Sequence, residues 1–142
     1  MHPVPVGEVR HLSSAPSARA RGVEHELSLP AEPGAARIVR HWVMRVVAAA
    51  GVGGALNQLV EVLTAELVAE AVRTGAPDDE VVVRLHVVDD GVRVAVTAPG
   101  VAALTPSSAT SLALVEVLST AWGSTRSQDG QRTVWFDVAT AG

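Results

Sequence analysis

A two-layer α+β sandwich, with helices covering one face of a mainly antiparallel sheet, is the fold class this 142-residue sequence predicts. Three observations carry it. Val81–Val88 and Val92–Thr97 are β-branched runs on either side of Asp89-Asp90-Gly91, the composition of a tight hairpin. Ala35–Ala50 and the segment running through Leu63–Gly75 instead repeat their apolar residues at helical spacing. The elements follow in the order β-α-α-β-β-α-β-β, which groups helices apart from strand pairs and favours a layered α+β arrangement.

Taken in order, residues 1–22 combine Pro3, Pro5 and Pro16 with several Ser and with Arg10, Arg19 and Arg21, and show no sustained apolar period. They predict a flexible tail that cannot bury enough surface to order itself, leaving 23–142 as the folded domain. Val23, His25, Leu27 and Leu29 alternate with Glu24, Glu26 and Ser28, a short first strand that Pro30–Gly34 breaks. In the first helix Ile38, Val39, Trp42, Val43, Val46 and Val47 form an apolar stripe, with Arg37, Arg40, His41 and Arg45 mainly away from it. Gly51, Gly53 and Gly54 end that helix. The second buries Leu56, Leu59, Val60, Leu63, Leu67 and Ala71 and stops near Thr74-Gly75, ahead of Pro77.

The two Val-rich strands then place Val92, Val94 and Val96 on one face and Arg93, Ala95 and Thr97 on the other. Asp89 and Asp90 read as turn residues rather than metal ligands. His86, with no second His or Cys at ligand spacing, reads as an ordinary strand histidine. After a loop over Pro99–Thr105, Thr105-Pro106 is a helix start, because Thr caps free amides and Pro suits the first helical position. That helix carries Leu112, Leu114, Val115, Val117, Leu118 and Ala121. Trp122–Arg126 and Gln131–Val138 close the chain as a hairpin around Asp129-Gly130.

Composition narrows the function. Hydrophobic residues make up 48% of the chain, mostly Ala and Val, with three Trp, one Phe and no Tyr. Cysteine is absent, which excludes disulfides and thiolate metal sites. A net charge of −4 argues against a general nucleic-acid binder. Charged residues interrupt every apolar stretch well short of the ~20 residues a membrane span needs, and the N-terminus has no apolar signal core. The expectation is a cytoplasmic protein.

Leu29-Pro30-Ala31-Glu32-Pro33, Glu66-Leu67-Val68 with Ala71-Val72-Arg73, and Val92–Thr97 occur in this order, followed by Trp122-Gly123 and Thr133-Val134-Trp135. From about Leu27 to Val138 the chain resembles the GHKL-type ATPase domain of histidine kinases and Hsp90-like proteins, and within it the anti-sigma-factor serine kinases. The resemblance implies a Glu-x-x-x-Asn pair on the second helix, the Glu a general base and the Asn a Mg²⁺ ligand. The matching residues are Glu66 and Glu70. A carboxylate at 70 can ligate Mg²⁺, yet like charges at 4 Å repel by about 1 kcal/mol even in bulk water.

The resemblance also implies an Asp after the third strand that accepts a hydrogen bond from adenine. Ala98 holds that place, followed by Pro99-Gly100, with Gly100 matching a family glycine. A Gly-x-Gly at the helix opening is replaced by Ala109-Thr110-Ser111, where side chains crowd the phosphate path. Glu70, Ala98, Gly100 and Ser111 are thus the cofactor-binding equivalents, and Glu66 the catalytic one.

Two readings of Glu66 and Glu70 compete: base and metal ligand, or a solvated helix face on which Glu70 pairs with Arg73. Ser107, Ser108 and Ser111 are read as capping residues before phosphate acceptors. The favoured function is a regulatory protein-binding module with lost or weakened ATP binding. Its expected partner is a sigma factor or an anti-sigma antagonist, held through the first helix and first strand, with a homodimer as a further expectation. The alternative is an active serine/threonine kinase using ATP and Mg²⁺. A third reading gives the emptied pocket a less polar ligand.

Overall fold

The computed structural model describes residues 23–99, 101 and 106–139, the side chains of 106–110 excepted. The expected tail over 1–22, Gly100 and the Thr105 cap therefore lie outside the described residues. The chain runs β1 Val23–Pro30, α1 Ala35–Ala49, α2 Gly54–Thr74, β2 Glu80–Val88, β3 Gly91–Ala98, α3 Pro106–Leu118, β4 Ala121–Arg126 and β5 Arg132–Ala139. The strands form one five-stranded sheet in the order β1-β2-β3-β5-β4, antiparallel at every pairing. The α+β architecture read from the sequence is the one observed.

Alternation sets the register. Val81, Val83 and Leu85 of β2, Val92, Val94 and Val96 of β3, and Val134, Phe136 and Val138 of β5 all point into the core beneath the helices. The opposite face carries cross-strand polar pairs. Arg93 donates to both oxygens of Asp137 at 2.7 and 2.9 Å, Arg84 donates to Glu26 at 3.0 Å, and the Thr97 and Thr133 hydroxyls meet at 2.7 Å. The Arg93 guanidinium also lies 4.9 Å from the centre of the Trp135 ring.

The β2–β3 hairpin departs from expectation in one respect. Val88 pairs directly with Gly91, so Asp89 and Asp90 alone make the turn. Gly91 has no left-handed φ; it is needed because a Cβ there would sit 2.9 Å from the Val138 carbonyl oxygen. In the β4–β5 hairpin Gly130 does adopt φ 91°. The neighbouring Asp129 carboxylate accepts from the Ser127 hydroxyl and the Gln131 amide, and these bonds hold its pKa below the ordinary 3.8.

α1 buries Ala35, Val39, Val43 and Val47, one side chain per turn. Ile38, expected on the buried stripe, is 57% exposed, because α2 together with β1 and β2 covers a narrower arc of α1 than six residues fill. The helix ends as a Schellman motif: Gly51 (φ 93°) donates to the Ala48 carbonyl at 2.9 Å and Val52 to the Val47 carbonyl at 3.1 Å. Asn57 secures the same corner. Its side-chain amide donates to the carbonyls of Met44 at 3.1 Å and Val52 at 3.0 Å.

α2 is the central helix. It packs on α1, α3, β3 and β5, and its buried residues include Val60, Leu63, Leu67, Val68 and Ala71 together with the polar Asn57, Glu61, Thr64 and Glu70. Covered on more than one side, it is less amphipathic than α1, which lies on the outside.

Candidate functional site

Glu66 and Glu70 stand one turn apart on α2, as their spacing requires. Their surroundings differ. Glu66 is half-buried and makes no ion pair or hydrogen bond among the described residues. Glu70 is fully buried, with Arg73 donating to its carboxylate at 2.9 Å. The pairing matches the sequence reading; the solvated helix face does not. Packing of neighbouring elements around α2 takes Glu70 out of water, and Arg73, itself half-exposed, supplies the positive charge a buried carboxylate requires.

Ala98 closes β3. It is buried, sits opposite Arg132 of β5 in the strand register, and has only a methyl group to offer. Val101 just beyond it is also buried. Ser111 does not cap α3. The helix begins five residues earlier at Pro106, and the Ser111 hydroxyl is buried with no hydrogen-bond partner. Ala109-Thr110-Ser111 therefore runs inside a helix rather than opening one. Gly100 and the side chains of Ser107 and Ser108 lie outside the described residues. Because α2 packs on both β3 and α3, the fold brings together the three elements bearing Glu66, Glu70, Ala98 and Ser111.

The sequence pointed to the first helix and first strand as a contact surface, but not to the grooves they form. The outer face of α1 presents Arg37, His41 and Arg45 beside Ile38 and the half-buried Trp42, and a shallow groove runs between these residues and Leu27 of β1. A larger cleft adjoins it at the far end of α1, sharing Trp42 and Arg45. Neither is lined by Glu66, Glu70, Ala98 or Ser111. The legible signal was charge: α1 holds three arginines and a histidine and no carboxylate, in a chain of net charge −4. One of those arginines, Arg40, reaches across to α2 and donates to the buried Glu61 at 2.9 Å.

Among the described residues no helix is long and apolar enough to cross a membrane. No protein-family profile matches the chain, and no curated protein sequence matches it. Solved structures do. The crystal structure of the RsbU and RsbW domains of Rv1364c from Mycobacterium tuberculosis superposes with a TM-score of 0.67 at 24% sequence identity, over 82% of this chain. The match spans about a third of that structure's chain, 32% of its length. The likeness is one of fold: a five-stranded antiparallel sheet with a helical layer on one face.

Proposed function

We propose that this chain is a regulatory protein-binding module of the anti-sigma type whose nucleotide site is lost or weakened. The observation that carries the reading is Glu70. Where the resemblance calls for a neutral amide holding Mg²⁺, the chain has a carboxylate buried in the core and bound to Arg73. Ala98 and Ser111 support it, the first with no acceptor for a purine amine, the second inside a helix where a glycine turn would cradle phosphate. The partner-holding surface is the outer face of α1 with the edge strand β1, where Ile38 is 57% exposed beside Arg37 and His41. Exposed apolar groups rimmed by charge mark interaction sites. The partner is a sigma factor or the antagonist of an anti-sigma factor, engaged in the cytoplasm.

One observation favours a second reading, an ATP-dependent serine/threonine kinase. Glu66 makes no ion pair or hydrogen bond among the described residues, which leaves its carboxylate able to take a proton. Thermal unfolding in ATP·Mg²⁺ separates the two. A ligand binding only the folded state at a hundred times its Kd adds about 2.7 kcal/mol. The module reading expects an unchanged unfolding temperature at millimolar ATP·Mg²⁺. A clear rise that Glu66→Ala abolishes overturns the module with a lost nucleotide site.

A further inference from the structure

The larger cleft, about 910 Å³, lies where the C-terminal half of α1 meets the first residues of β1 and the last of β2. Its walls are apolar: Trp42 and Val46 from α1, Val52 from the α1–α2 loop, Val23 from β1 and Val87 from β2. The loop is held in place by the Schellman bonds and by Asn57, so that wall is preformed. Polar groups are few. They are Arg45, His25 and Asp89. Arg40, Arg73, Arg84 and Arg93 each pair with a carboxylate of the chain; Arg45 pairs with none among the described residues.

We propose that this cleft binds a small amphiphilic carboxylate, a monoanion with a hydrocarbon body. The volume falls within the ~300–1,000 Å³ of organic-ligand sites, and so does the pattern of apolar walls with one or two orienting polar groups. Arg45 supplies the cation and the forked donors that suit a carboxylate. The walls cover the hydrocarbon, which in turn covers Val23, otherwise 65% exposed. Asp89 repels a second negative charge and so limits the ligand to one. The site is independent of the nucleotide question, since it shares no residue with Glu66, Glu70, Ala98 or Ser111.

The test is calorimetric titration of the full chain with monomeric decanoate and, separately, with decanol. Decanoate binds wild type; decanol binds at least ten-fold more weakly. Arg45→Gln lowers decanoate affinity by about ten- to a hundred-fold, the range for a lost hydrogen bond to a charged group. It leaves the unfolding temperature unchanged, because Arg45 is exposed and unpaired. Ala49→Trp, placing an indole in the cleft from an exposed position, abolishes binding without unfolding the protein. Equal affinity for the acid and the alcohol overturns the proposal, as does unweakened binding in Arg45→Gln. Failure of decanoate to bind, together with a dimer that Ala49→Trp dissociates, assigns the cleft to a second copy of the chain and overturns it too.

Discussion

Gly123→Ala isolates one contact of the sheet's outer face. Gly123 of β4 lies opposite Trp135 of β5 in the register. A Cβ at 123 would come within 2.7–2.8 Å of three atoms of the Trp135 indole, closer than carbon atoms pack. The ring cannot simply swing aside, because Arg93 lies over it and is itself fixed to Asp137. Overpacking of this kind costs roughly 1–3 kcal/mol. Alanine recovers about 0.5–1 kcal/mol, since glycine in a strand interior loses more backbone freedom on folding. At the middle of both ranges the net is a destabilisation of about 1 kcal/mol, or roughly 4 °C in Tm for a chain of this size.

Urea unfolding with an unchanged m-value measures it, and the Trp135→Leu background identifies its source. With the indole gone, Gly123→Ala becomes neutral or slightly stabilising. An equal cost of Gly123→Ala in both backgrounds refutes the steric argument, as does a neutral effect in wild type.

Asn57→Ala removes both donors that hold the α1–α2 corner and leaves the carbonyls of Met44 and Val52 without them, which lowers stability by about 1–3 kcal/mol in urea unfolding. Asp129 titrates below 3.8 in a carboxyl NMR titration, because the Ser127 hydroxyl and then the Gln131 amide favour its charged form. Its contribution to stability is complete above 3.8 and is lost as the pH falls through the lower folded-state value. In Ser127→Ala the midpoint returns toward 3.8 and the acid-side loss shrinks.

What the sequence made legible was whatever a single element decides for itself. Period-two alternation put Val92, Val94 and Val96 inward, and glycine at 51 and 130 marked a helix end and a hairpin turn, where the backbone is left-handed. What it concealed depends on neighbours. Ile38 shares the spacing of Val39 and Val43 but falls just outside the arc that α1 buries, and no local rule sets that arc. Gly91 looked like turn chemistry and instead answers to the Val138 carbonyl, 47 residues away in sequence by the numbering and adjacent in space. Glu70 was misjudged for the same reason: its spacing from Arg73 predicts the pair, whereas its burial follows from the layers closing over α2. The candidate site was legible as a set of aligned positions on α2, β3 and α3; the orphaned Ser111 hydroxyl was not.

The same helix that carries Glu66 and Glu70 is also the keel of the molecule. Any change at position 70 is therefore a change to the interior as well as to ligand chemistry. Reinstating an amide there would strand Arg73 and rearrange a packed layer before it recovered a metal ligand. Position 70 thus answers to tertiary packing before it answers to any ligand.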